Sequence, residues 1–83
     1  MVGVIFDPHF EKNFKNFKKI KDKTVKEKII KQVSKIRDNP KIGKPMMYAR
    51  KGTRELYIAP FRLSYEIKRE IVYILDLYHK DEQ

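Results

Sequence analysis

Cysteine is absent from this sequence. Disulfide staples, thiolate metal ligands and a cysteine nucleophile are therefore excluded, and stability has to come from packing. The absence also fits a reducing cytoplasm. No apolar run approaches the roughly 18 residues of a membrane span, and the opening stretch, residues 1–6, is too short for a signal h-region and has no basic n-region before it. A cytoplasmic protein with no membrane partner is expected. Glycine is sparse, and Gly3, Gly43 and Gly52 are too scattered to form a phosphate-cradling loop. The two histidines, His9 and His79, fall in different elements, and no carboxylate cluster has ligand spacing, so neither a metal nor a cofactor is expected. Eighty-three residues suggest a single domain over residues 1–83, with room for one small site.

What the sequence has in excess is positive charge. Twenty Lys and Arg against eleven Asp and Glu give a net charge of +9, a balance typical of proteins that meet a polyanion. Residues 1–45 hold thirteen basic and five acidic side chains, whereas residues 46–83 hold seven and six. The field belongs to the front half. Lysine on helices also has a plainer use, in solubilising surfaces and in thermophile compositions.

Along the chain, the β-branched run at residues 2–6 suits a short buried strand. Asp7-Pro8 then starts a helix, since Asp7 can accept from unpaired backbone N–H groups and Pro8 has no N–H to leave unpaired. Phe10, Phe14 and Phe17 recur at helical spacing with Lys12, Lys15, Lys18 and Lys19 between them, predicting a helix over residues 8–20. Thr24 and Glu27 have the spacing of a capping box for a second helix. Its apolar stripe is Val25, Ile29, Val33 and Ile36, widened by Ile30, and Asn39-Pro40 ends it. Residues 41–47, with Gly43 and Pro45, read as a loop, with a short extra strand possible over 46–49.

The period then changes from helical to alternating. A strand over residues 53–58 sets Leu56 and Ile58 on one face and Glu55 and Tyr57 on the other. A second, over residues 61–67, alternates Phe61, Leu63, Tyr65 and Ile67 with Arg62, Ser64 and Glu66. A charged hairpin at residues 68–70 leads into residues 71–78, apolar nearly throughout and so suited to a central strand. The expected fold class is α+β: a two-layer β-α-α-β-β-β domain with a helical hairpin packed on one face of a largely antiparallel sheet.

On this reading Arg62 projects from the face not used for packing, beside Glu55, Tyr57 and Ser64. There its guanidinium either engages a phosphate bidentately or forms a cross-strand salt bridge to Glu55 or Glu66. His79, followed by Lys80, is of a side-chain type that serves in proton transfer, though a lone histidine is often structural. His9 reads as an exposed helix residue. Arg50, Lys51 and Arg54 cluster around Gly52 as a phosphate clamp or an ordinary solvated loop. Tyr57 and Tyr78 alternate onto the face of Arg62, where a ring stacks on a base or covers its neighbours.

Three strings, taken with the order of elements, carry a resemblance. Residues 6–12, Phe-Asp-Pro-His-Phe-Glu-Lys, resemble the opening strand and helix start of the RelE/ParE superfamily of toxins from type II toxin–antitoxin systems. Residues 52–57, Gly-Thr-Arg-Glu-Leu-Tyr, are similar to its "G-x-R-E-L-R" strand, and residues 61–65, Phe-Arg-Leu-Ser-Tyr, to its "Y/H-R-L-x-Y" strand. The closing Leu77-Tyr78-His79-Lys80 resembles the end of the last strand in RelE- and YoeB-like members, so the match covers nearly the whole chain.

The resemblance, closest to RelE-like mRNA interferases, implies a metal-independent, ribosome-dependent endoribonuclease that cuts messenger RNA and stops translation. It implies Arg62 at the scissile phosphate, His79 and Lys80 in proton transfer, and Lys51, Arg54, Arg50 and Tyr78 in RNA binding. It further implies three partners: the ribosome, mRNA and a cognate acidic antitoxin, RelB-like. The pattern departs at Glu55 and Tyr57, where some active members carry basic residues, and no tyrosine follows Tyr78. The same fold hosts ParE-like inhibitors of DNA gyrase, and a catalytically weakened homologue that only binds its antitoxin is a further alternative.

Overall fold

A computed structural model describes residues 3–16, 23–47 and 52–79. The chain starts with a strand, β1 (Gly3–Phe6), and turns at Asp7 into helix α1 (Pro8–Asn16). The Asp7 carboxylate accepts the His9 N–H at 2.8 Å and its carbonyl accepts the Glu11 N–H at 3.1 Å, so the Asp-Pro start works as its chemistry demands. Phe10 stacks between Phe6 and Phe14, with ring centroids 5.4 and 5.5 Å apart. Phe17 and Ile20, expected to extend this helix, lie outside the described residues.

Helix α2 is described over Lys23–Asp38, with Thr24 of the expected capping box within it, and the residues that lead into it lie outside the described residues. Ile29 and Ile36 are fully buried, Val25 and Val33 partly so, at the spacing of one helix face. Ile30 is not part of that face: it is 58% exposed. The loop expected after Pro40 is more ordered than its glycine and prolines suggest. A single 3₁₀ turn (Pro40–Ile42) leads into a two-residue strand, β2 (Lys44–Pro45), slightly upstream of where an extra strand was foreseen.

Three long strands follow: β3 (Thr53–Ile58), β4 (Phe61–Lys68) and β5 (Ile71–His79). The five strands form one sheet in the order β1-β5-β4-β3-β2, antiparallel except that β1 runs parallel to β5. β5 is an interior strand, paired on both sides by β1 and β4, as its apolar run predicts. β1 is an edge strand rather than a buried one: with β5 as its one strand neighbour, it leaves Ile5 47% and Phe6 41% exposed. Arg69 and Glu70 make the two-residue β4–β5 turn with φ of 49° and 67°, the left-handed pair that matches the twist of a hairpin.

Both helices lie on one face of the sheet. Phe61, Leu63 and Tyr65 of β4 and Val72, Ile74 and Leu77 of β5 are fully buried against Phe10, Ile29 and Ile36. The pairing slips by one residue between Ser64/Asp76 and Tyr65/Ile74, and just there β1 ends at Phe6, opposite Ile74. Asn13 of α1 takes over the exposed edge, its amide donating to the Leu77 carbonyl at 3.1 Å and to the Asp76 carboxylate at 2.6 Å. α1 is thereby tied to the end of β5 from which Tyr78 and His79 project.

Candidate functional site

The strict alternation of β3 and β4 sends Arg62 to the face that carries no helix among the described residues. In the pairing register Arg62 stands between Tyr57 of β3 and Tyr78 of β5, and Ser64 between Glu55 and Asp76. Four side chains form a connected array there. Arg62 Nη1 donates to Glu55 Oε1 at 2.9 Å, and the Tyr78 hydroxyl donates to Glu55 Oε2. The Arg62 guanidinium carbon lies 5.6 Å from the centre of the Tyr57 ring, within cation–π range. Glu55 is buried, with 4% of its side chain exposed, whereas Arg62 keeps 38% of its side chain in solvent and Tyr57 is 53% exposed. The array thus has a buried acidic floor, a partly exposed cation and an exposed ring at its rim. Glu66, the other carboxylate within a strand's width, pairs instead with Lys68 at 3.4 Å.

Of the two readings of Arg62, the cross-strand salt bridge to Glu55 is formed, and part of the arginine side chain remains in solvent. Its Nε is buried with no hydrogen-bond partner among the described residues, so the headgroup is held through Nη1 and the ring contact.

The remaining residues expected at a site separate into three groups. Tyr78 joins Arg62 through Glu55, but with its hydroxyl directed into the protein. His79 is not brought to Arg62: it pairs in register with Phe61, meets that ring edge-on at 5.7 Å, and is 8% exposed on the helix-covered face. One step along a strand reverses a side chain's direction, so Tyr78 and His79 cannot both face Arg62. Arg54 also faces the helix side, where Nη1 donates to the Gly43 carbonyl at 2.7 Å and the Lys41 carbonyl at 3.3 Å. Arg50, Lys51 and Lys80 lie outside the described residues.

Arg54 works there with Tyr65, its partner in the β3–β4 register. The buried Tyr65 hydroxyl donates to the Pro40 carbonyl at 2.6 Å and accepts the Gly43 N–H at 2.8 Å. Burial raises the Tyr65 pKa above its usual 10.0, with the Gly43 N–H and the Arg54 charge pulling the other way. Only glycine fits at position 43, where an added Cβ would come within 2.7 Å of the tyrosine ring. These contacts strap the Pro40–Ile42 turn and β2 to the sheet edge.

Glu55 was weighed only as a salt-bridge partner and not singled out for function, although alternation alone sets it beside Arg62. The available signal was a glutamate in mid-strand, a residue type that strands disfavour and that needs a partner if buried. A second feature lies on the other side of the molecule: an apolar groove of about 610 Å³ between β1, α1 and α2, lined by Phe6, Phe10, Phe14, Ile29, Ile30 and Val33, with Lys15, Arg37 and Glu11 along it.

Comparisons with known proteins agree on the fold. No curated protein matches the sequence at a significant level. Among solved structures the chain is similar to YafQ from E. coli strain BL21(DE3), at 15% identity and a TM-score of 0.79 over 99% of this chain and 97% of that one. It is similar to the RelBE2 toxin–antitoxin complex of Mycobacterium tuberculosis at 19% identity and a TM-score of 0.80, over 95% and 98% of the two chains. For the YoeB dimer of Staphylococcus aureus the figures are 24%, 0.74, 94% and 97%. At these identities the likeness is one of fold. Residues 4–83 match the family described as the ParE toxin of type II toxin–antitoxin system, parDE, and the chain therefore belongs to that family.

Proposed function

We propose that this toxin is a ribosome-dependent endoribonuclease that cuts messenger RNA on the open face of its sheet. The observation that carries the reading is the Arg62 array: a guanidinium held on an uncovered sheet face by a buried carboxylate, with an exposed aromatic ring beside it. In the reaction the 2'-hydroxyl oxygen attacks the adjacent phosphorus and the bond to the 5'-oxygen breaks. The products are a cyclic phosphate and a free 5'-hydroxyl, with one proton leaving the nucleophile and one reaching the leaving oxygen. Negative charge builds on the phosphorane oxygens, which the exposed edge of Arg62 is placed to stabilise. Tyr57 offers a stacking surface for a base. Lys51, Arg50 and Lys80 are the further proposed RNA contacts, Lys80 also in proton transfer. His79 is assigned to packing, since it lies on the opposite face from Arg62.

Attraction to the ribosome is assigned to the outer surface of α2, where Lys28, Lys31 and Lys35 are exposed within the basic half of the chain. Binding there weakens steeply with salt, the logarithmic slope rising by about 0.7 to 0.9 for each phosphate neutralised. The partner in the cell is an acidic antitoxin, RelB-like, whose amphipathic segment fills the groove between β1, α1 and α2. The groove's apolar lining and its Lys15 and Arg37 suit such a segment, which folds as it binds. Co-purification from the native cell tests this, and recovery of no acidic partner argues against it.

The second reading, inhibition of DNA gyrase by binding, is favoured by the family match itself, which is to ParE toxins. A supercoiling assay beside a ribosome-dependent cleavage assay separates the two: the endonuclease reading requires cut messenger and unaffected supercoiling.

A further inference from the structure

We propose that Glu55 is a positioning residue, which fixes the guanidinium of Arg62 and the ring of Tyr78 as one unit on the open sheet face. The inference rests on the endonuclease reading and gives a role to a residue that the sequence motifs leave without one.

A carboxylate that is 6% exposed in the middle of a strand needs partners for both oxygens, since burying an unpaired charge is strongly unfavourable. Glu55 finds them on two different strands, with Oε1 on Arg62 of β4 and Oε2 on Tyr78 of β5. Glu55 and Tyr78 are separated by the whole width of β4. The residue between Glu55 and Asp76 in that register is Ser64, whose small side chain leaves room for the tyrosine to reach across. Three strands are thereby joined at one carboxylate.

The consequence for Arg62 is geometric. Its Nη1 is held by Glu55, its guanidinium carbon lies 5.6 Å from the Tyr57 ring centre, and its Nε is buried, so the solvent-facing edge is restricted in direction. Pre-set orientation of a charge-stabilising group acts on the rate at which a bound substrate reacts. It does not act through attraction, because the Glu55 and Arg62 charges cancel at long range. Removing the Glu55 charge leaves the protein more positive, so RNA binding is not weakened while the chemistry is slowed.

The test is single-turnover cleavage of ribosome-bound messenger by wild type, Glu55→Gln, Tyr78→Phe and the double variant, alongside NMR of the Arg62 Nε–H group and a thermal melt of each protein. Glu55→Gln is expected to lower the saturating rate by about tenfold to a hundredfold, the scale of a misplaced catalytic group. Its half-saturating ribosome concentration should be unchanged. Tyr78→Phe lowers the rate less, and the double variant is no slower than Glu55→Gln, because both act through one contact. The Arg62 headgroup is restrained in wild type and rotates freely in Glu55→Gln. An active wild type with Glu55→Gln as fast or faster overturns the role, as does additive loss in the double variant or a freely rotating Arg62 headgroup in wild type. A wild type that does not cleave overturns the endonuclease reading and this role with it, whatever the NMR shows. If Glu55→Gln does not fold, Tyr78→Phe, which removes one oxygen atom, carries the same test.

Discussion

His79 meets Phe61 edge-on, ring centroids 5.7 Å apart, on the helix-covered face of the sheet, while Arg62, the next residue along β4, projects from the other face. A histidine placed this way contributes to packing. His79→Ala is expected to lower stability by about 1–3 kcal/mol, combining lost burial with a lost aromatic pair. Cleavage per folded molecule should stay at the wild-type level. Thermal melting beside a cleavage assay checks both; a variant that melts normally and has lost its activity returns His79 to the chemistry.

Seen from the sequence, Arg62 is a surface residue whose removal shifts stability by about 0.5 kcal/mol or less. The structure changes that expectation, because Arg62→Ala removes the cation from Oε1 of the buried Glu55 carboxylate while Tyr78 stays on Oε2. The expected loss is about 1–2 kcal/mol, the lower part of the range for an orphaned buried acceptor since Arg62 is itself partly exposed. Arg62→Ala combined with Glu55→Ala should cost less than the two single changes summed, a coupling that denaturant melts of the four proteins will read. Strict additivity would mean that the pair does not interact in solution.

Arg54 was expected to contact RNA and instead binds two backbone carbonyls of the turn before β2. Arg54→Ala should therefore lower stability by about 1–2 kcal/mol, as for loss of charge-assisted hydrogen bonds in a partly exposed setting. The salt slope of ribosome binding should not change. A shallower slope with unchanged melting would place Arg54 among the phosphate contacts.

Tyr65 gives a pH dependence whose sign follows from burial. Its pKa is raised in the folded protein, so the folded state holds the proton more tightly than the unfolded chain. The stabilisation is complete below the unfolded value near 10.0 and is lost as pH rises through the higher folded value. Melting temperatures measured from neutral to strongly alkaline pH should fall more steeply above that point for wild type than for Tyr65→Phe. Parallel curves would show that the hydroxyl is not buried as described.

Much of this was legible in periodicity. The strand at 53–58 needed no revision, and the alternation of Phe61 to Ile67 sets the buried face of the sheet correctly, because a two-residue period admits one register once one face is apolar. The Asp7-Pro8 helix start follows as directly from local chemistry. Long-range pairing was not legible. That β1 lies at an edge, parallel to β5, and that the pairing slips beside Ser64 depend on contacts between distant residues. The candidate site shows the same division. Arg62 and Tyr78 on one face follow from alternation, but the same alternation, applied one residue further, turns His79 away, and a resemblance at the end of β5 does not carry that geometry. The Glu55–Tyr78 bond across β4 is a product of the assembled sheet.

The most direct test of the central claim is primer-extension mapping of messenger RNA in a reconstituted translation mixture, run with the purified protein in the presence and absence of ribosomes. Discrete cuts within the translated message that vanish when ribosomes are left out are the predicted result. A message that stays intact with ribosomes present, or is cut equally without them, would contradict it.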